Sequence, residues 1–215
     1  MQLAGAKKVQ QVLAEPKSLE RFVPDERERA QLRESFTDLY PLDDSEQGRI
    51  ALERAYKECD KFVLKPQREG GGNNVYRGDI PTFLDRLDEE DRAKAAAHGS
   101  SPSTALPPRG REGYILMSLI ESPRDMEQVL VKAGEARGTR AHVISELGIY
   151  GVVLLREDVD GTEAARGGGG GGNKKAELLV NETVGHLLRT KPVESDEGGV
   201  ATGYSVIDSP LLVSP

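Results

Sequence analysis

The sequence predicts an α+β fold, with helical segments early in the chain and strands later, on three observations. Within the first sixty residues apolar side chains recur at helical spacing, and prolines 16, 24 and 41 punctuate them. Short unbroken apolar runs follow at 62–64 and 114–120, which read as buried strands. Residues 141–156 then read as a long strand or strand pair, and the sheet resumes near 177.

Taken in order, Leu3, Ala6, Val9 and Leu13 lie on one helical stripe that Pro16 ends. Lys7 and Lys8 on that helix read as a solvated face. Pro24 and Asp25, with Glu28 three residues on, read as a helix start with a capping box. Leu32, Phe36 and Leu39 line one face of this helix, and Pro41 closes it. A further helix over 45–59 turns Ile50, Ala51, Ala55 and Cys59 toward the core. After the strand at 62–64, Asp79 caps a short helix with Pro81 in its first turn, and 88–97 forms a second, charged helix. Residues 99–113, rich in Ser, Pro and Gly, read as a mobile surface insertion. Residues 114–120 read as a strand buried on both faces, 126–133 as a helix or bent connection, and 204–207 as a last strand.

Composition excludes several function classes. The chain has 215 residues, 37% hydrophobic and 30% charged, with a formal charge of -7. That charge argues against a general nucleic-acid or membrane surface, although a local cation cluster can still hold an anionic ligand. Cys59 is the single cysteine, so no disulfide framework forms and a reducing compartment is expected. Residues 1–13 lack the apolar core of a secretory signal, which makes the cytosol the default location. His98, His142 and His186 show no zinc spacing and read as structural.

Chemistry concentrates in residues 62–76, Phe-Val-Leu-Lys-Pro-Gln-Arg-Glu-Gly-Gly-Gly-Asn-Asn-Val-Tyr. Glycines let backbone N–H groups approach an anion closely, Lys65 and Arg68 supply charge, and the Glu69 carboxylate can hold a divalent cation. This combination suits a metal–nucleotide phosphate tail, and it suits equally a tight turn with positive φ. Glu146, inside an apolar strand, is a second candidate, because a carboxylate there costs several kcal/mol unless it is paired or bound. The six glycines 167–172 have no strand leading into them and read as part of a flexible connector over 158–175.

The stretch FVLKPQREGGGNNVY closely resembles the glycine-rich signature of eukaryotic-type glutathione synthetases, a branch of the ATP-grasp ligases. QLAGAKKVQQ, YILMSLI, ISELGIYGV, and VGHLLRTK followed by EGGVATG agree in order and spacing. The resemblance implies an ATP-grasp-like, largely antiparallel sheet with flanking helices. It divides the chain into a helical segment at 1–60 and an ATP-binding region at 61–215, with insertions near 99–113 and 158–175. Lys65 and the amides of Gly70, Gly71 and Gly72 are implied to hold ATP phosphates, with Glu69 also ligating Mg2+. Asn73, Asn74 and Tyr76 are implied to line the nucleotide pocket, and Met117 and Ile120 to contact adenine. Glu146 is implied to reach the ribose, and Lys191 and Glu197 to lie near the nucleotide. Arg189, Val200 and Ala201 are implied to hold the peptide substrate.

Two positions depart from the family pattern: Ser118 stands where an acid is usual, and Glu197 where aspartate is usual. The implied reaction joins γ-glutamylcysteine and glycine through an acyl phosphate, in a homodimeric enzyme. Family members are more than twice this length, and the resemblance covers their C-terminal part. The isolated chain is therefore expected to be a C-terminal fragment with feeble activity at most. Two other readings stand beside this one. A non-catalytic nucleotide-binding or interaction module could keep the same loops, and a related peptide ligase could use a different amine.

Overall fold

The structure, a computed structural model, describes residues 5–67, 72–97, 110–132, 134–157 and 176–212. The chain divides into two compact units, Met1–Ser122 and Pro123–Pro215.

The first unit packs helices onto a small antiparallel sheet. Its strands are β1 (Leu39–Tyr40), β2 (Phe62–Pro66), β3 (Val75–Tyr76) and β4 (Tyr114–Ser118), in the spatial order β1-β4-β2-β3. Its helices are α1 (Lys7–Ala14), α2 (Glu26–Glu34), α3 (Glu46–Lys57) and α4 (Asp79–Ala97). Local chemistry sets two of the helix starts. The Asp25 carboxylate accepts from the Glu28 N–H at 2.8 Å, and the Ser45 hydroxyl oxygen accepts from the Gly48 N–H at 3.0 Å. Phe62 and Leu64 of β2 and Leu116 of β4 turn to one side of the sheet, where they meet Ala51 and Ala55 of α3 and Ile80 and Leu84 of α4. All of these are buried, and such burial supplies most of the driving force for the unit.

Several elements differ from the pattern read in the sequence. Leu39 lies in β1 instead of on a helix, because β1 pairs with the outer edge of β4 and that pairing overrides local spacing. The same pairing brings the segment 1–60 into one unit with β2, β3 and β4. Ile50 is half exposed, since the α3 stripe facing the core passes through Ala51 and Ala55. Residues 79–97 form one continuous helix, with no break at 88. Residues 110–113, read as the end of a mobile insertion, form a 3-10 turn (Gly110–Gly113) with a buried Arg111. The rest of that insertion, and the whole of the glycine-rich insertion at 158–175, lie outside the described residues.

The second unit is a four-stranded antiparallel sheet in the order β5-β6-β7-β8. Its strands are β5 (Glu127–Leu130), β6 (Thr139–Glu157), β7 (Ala176–Pro192) and β8 (Val206–Asp208). Residues 127–130 are a strand where a helix or bend was expected, because they pair with the first residues of β6. β5 covers only 139–142 of β6, and β8 only 188–190 of β7. The remaining length of β6 and β7 is a two-stranded ribbon with exposed Leu147, Ile149, Val153, Leu154 and Val184. No helix among the described residues is long and apolar enough to cross a membrane.

Gly48 offers a direct test of the α3 start. A Cβ added there would collide with the Asp43 carbonyl oxygen, a backbone atom that cannot swing aside. Gly48→Ala is therefore expected to lower stability by about 1–3 kcal/mol in urea unfolding. An unchanged midpoint would show that the 43–45 turn is not held as described.

Candidate functional site

In the first unit the site is built on β2. Val63 lies across from Tyr76 on one side and from Met117 on the other. Directly paired residues in antiparallel strands project to the same face, as do residues two apart on one strand. Lys65, Tyr76 and Met117 therefore share one face of the sheet, opposite the face that carries Phe62, Leu64 and Leu116 into the core. Val63 and Ile115, both buried, lie among them on the same face. This shared face could not be read from the sequence, where β2 and β4 appear only as continuous apolar runs.

Each end of the β2–β4 pair carries a different set of backbone groups. At the Ser118 end, the Ser118 N–H donates to the Asp38 carbonyl at 3.0 Å, and the Thr37 hydroxyl donates to the Ser118 carbonyl at 3.3 Å. The Leu119 N–H donates to the Lys61 carbonyl at 2.8 Å. Those groups are occupied in holding the strand end. Among the described residues, the Leu119 carbonyl and the Ile120 N–H have no hydrogen-bond partner. They form an adjacent acceptor and donor of the kind that can read a base edge. The Ile120 side chain is 75% exposed, so its share in such a contact is that of its backbone.

At the other end, the Gln67 N–H donates to the Gly113 carbonyl at 2.9 Å, and the Gln67 side-chain oxygen accepts from the Lys8 N–H at 2.6 Å. Lys8 also lies 3.5 Å from Asp43, whose carboxyl is held below its ordinary pKa chiefly by the Ser45 hydroxyl, with Lys8 adding to the effect. Glu69, Gly70 and Gly71 lie outside the described residues. Gly72 has φ +96°, a conformation that favours glycine. Asn73 is exposed, and the Asn74 amide donates to the Tyr76 hydroxyl at 3.1 Å. Asn73 and Asn74 also line a cavity of about 600 Å³ beside Phe83 and Tyr114. Lys65, Tyr76 and Met117 do not line that cavity.

In the second unit the site is a charge cluster on the β6–β7 ladder. Glu146 lies directly across from Arg189, and Lys191 follows two residues on, so all three project to one face. Arg189 Nη2 lies 2.6 Å from Glu146 Oε2, and Lys191 Nζ lies 3.6 Å from Glu146 Oε1. The carboxylate that looked costly in an apolar strand is thus neutralised by two cations, and its side chain is 39% exposed. The loop 193–205 folds against this cluster. Lys191 donates to the Asp196 carbonyl at 3.2 Å, and Ser205 donates to the Gly198 carbonyl at 2.8 Å. A Cβ at Gly198 would stand 3.2 Å from Glu146 Oε2, so glycine permits the loop's close approach. Glu197 and Val200 are partly buried in this loop, and Ala201 is exposed at its tip.

Among the described residues no group of three or more His, Cys, Asp or Glu is placed to hold a metal ion. Because Glu146 and Arg189 are each 39% exposed, their pairing adds little to stability. Glu146→Gln is expected to cost no more than about 1 kcal/mol in chemical unfolding. A loss several times larger would make the cluster a structural tie and not a ligand-facing one.

Comparison with known proteins agrees with this architecture. Residues 2–212 match the family described as "Eukaryotic glutathione synthase, ATP binding domain". The glutathione synthetase of Xenopus laevis is 39% identical over 99% of this chain, and that of Homo sapiens 40% identical over 99%. A chloroplastic glutathione synthetase of Arabidopsis thaliana is 40% identical over 98% of the chain. The chain spans 37% of the length of the Xenopus and human relatives and 32% of the Arabidopsis one. With β2, its glycine-bearing continuation and the β6–β7 cluster inside the matched region, the chain belongs to the eukaryotic glutathione synthase family, in its ATP-binding domain.

Proposed function

We propose that this chain binds Mg·ATP and provides the nucleotide-binding part of an ATP-dependent ligase that joins γ-glutamylcysteine to glycine. The observation that carries the reading is the single sheet face shared by Lys65, Tyr76 and Met117. At one end of that face stand the Leu119 carbonyl and Ile120 N–H, without a hydrogen-bond partner among the described residues, and at the other stands the stem of the glycine stretch. From the Lys65–Ile115 rung to Ile120 is five residues, about 17 Å of extended chain, a span that suits a nucleoside triphosphate from base to terminal phosphate.

In the proposed chemistry the γ-glutamylcysteine carboxylate oxygen attacks the terminal phosphorus of ATP. An O–P bond forms, the bond to the ADP oxygen breaks, and an acyl phosphate results. The glycine amine then attacks the acyl carbon, the C–N bond forms, inorganic phosphate leaves, and the amine loses a proton. Such phosphoryl transfer depends on positioning and charge stabilisation more than on acid–base groups. Lys65 and the glycine amides would hold the phosphates, while the Leu119 carbonyl and Ile120 N–H would orient adenine. Asn73, Asn74 and Tyr76 would line the nucleotide pocket. Arg189 would grip the peptide carboxylate through its planar guanidinium, with Val200 and Ala201 of the loop covering it. Glu146, Lys191 and Glu197 are assigned to ATP binding by the family resemblance alone. Glu69 would be the protein ligand for a Mg2+ accompanying the triphosphate, which would neutralise charge on the phosphates.

The other metal ligands and most of the peptide pocket that the family resemblance implies are not among these 215 residues. Turnover by the 215-residue chain alone is accordingly proposed to be feeble. ATP binding is expected to be measurable by calorimetry, and Lys65→Ala is expected to weaken it roughly tenfold, about 1.4 kcal/mol. ADP release that needs both γ-glutamylcysteine and glycine would support the ligase reading. Nucleotide binding without any such release, even in a chain of the relatives' full length, would favour the non-catalytic module. No binding of ATP at all would end both.

A further inference from the structure

We infer that Arg111 is a positioning residue for the phosphate end of the nucleotide site, an inference that rests on the nucleotide-binding reading above. Arg111 makes no hydrogen bond or ion pair with a candidate ligand-contacting side chain, yet its side chain is only 7% exposed and its guanidinium makes three bonds to two other segments. Nε donates to the Leu42 carbonyl at 3.0 Å, Nη2 to Asp44 Oδ1 at 2.7 Å and Nη1 to Asp88 Oδ1 at 3.3 Å. The neighbouring Gly110 N–H donates to Asp91 Oδ2 at 2.7 Å. Together these bonds fasten the 110–113 turn to the loop before α3 and to α4.

A buried cation is a costly way to fill space, because apolar side chains of similar volume serve packing as well or better. What the guanidinium adds is direction, since its rigid fork fixes the turn in one orientation. The consequence lies at the turn's far end. Gly113 presents its carbonyl to the Gln67 N–H at 2.9 Å, one step past the last β2–β4 rung, Pro66–Tyr114. Gln67 follows Lys65 by two residues. Arg111 thus fixes, through Gly113, the end of β2 that carries Lys65, the proposed phosphate-binding cation. The hinge at Ser118 to Ile120 is held by Asp38, Thr37 and Lys61 instead, with no bond from this turn.

That separation makes the role testable on the 215-residue chain. Arg111→Lys and Arg111→Met would be compared with the unaltered protein at a temperature where all are folded by circular dichroism. Asp44→Asn removes one partner while keeping the cation, and decides the matter if both Arg111 variants fail to fold. ATP and adenosine affinities would be measured by calorimetry, and exchange of the Gln67 amide by hydrogen–deuterium exchange. The expected result is ATP binding weakened roughly tenfold, adenosine binding changed by less than about twofold, and Gln67 exchange accelerated while the amides of 62–64 hold. Equal weakening of ATP and adenosine, or unchanged ATP affinity with unchanged Gln67 exchange, would overturn the inference. Failure of the unaltered chain to bind either ligand would overturn the nucleotide reading itself, and the two failures are thereby told apart.

Discussion

The antiparallel ladder between β2 and β4 carries the first unit. Its five rungs, from Phe62–Ser118 to Pro66–Tyr114, bring together two segments separated by about fifty residues of sequence. One face of the ladder supplies Phe62, Leu64 and Leu116 to the core against α3 and α4. The other face presents Lys65 and Met117, with Tyr76 joined through β3. A slip of one residue in this register would exchange the two faces, moving a lysine into the core and leucines out of it. Core formation and site assembly are thus the same event, and the burial of large apolar side chains enforces the register on which the polar residues depend.

The second unit uses a different device. Its long β6–β7 ribbon places Glu146, Arg189 and Lys191 on one face, where the acid sits between two bases. On the reverse face Ser145, Thr190 and Asp208 form a hydrogen-bonded row across three strands, with distances of 2.9 and 2.8 Å. Val143 and Leu130 are buried toward that side. The sheet is tied down from behind while its charged face stays half open. An anionic ligand can then compete with Glu146 for Arg189 and Lys191 without disturbing the sheet.

Much of this was legible in the sequence because it depends on local chemistry. Asp25 and Ser45 cap helices as their side chains dictate, Phe62, Val63 and Leu64 are a buried strand, and 141–156, read as a strand or strand pair, is extended throughout as one strand. Less was legible where long-range pairing decides. Leu39 and residues 127–130 are strands only because β4 and β6 offer edges for them. Arg111 looked like part of a loose insertion, since nothing in a Ser-, Pro- and Gly-rich stretch reveals carboxylates brought near by folding. Glu146 was read as an acid that would need a partner; it is partly exposed and pairs with Arg189, forty-three residues away, a partner visible only in the ladder. At Ile120, expected to contact adenine, the side chain is exposed.

The central claim is that the base of a nucleotide lies on the β2–β4 face that carries Met117. The chain has three methionines, so selective ¹³C labelling of their methyl groups gives a simple spectrum in which each site can be assigned by substitution. On adding ATP, the Met117 methyl is predicted to shift and to show nuclear Overhauser contacts with the adenine protons, while Met126 stays unchanged. Saturating ATP binding with an unperturbed Met117, or with adenine contacts to Leu64 or Leu116 on the opposite face, would contradict the account.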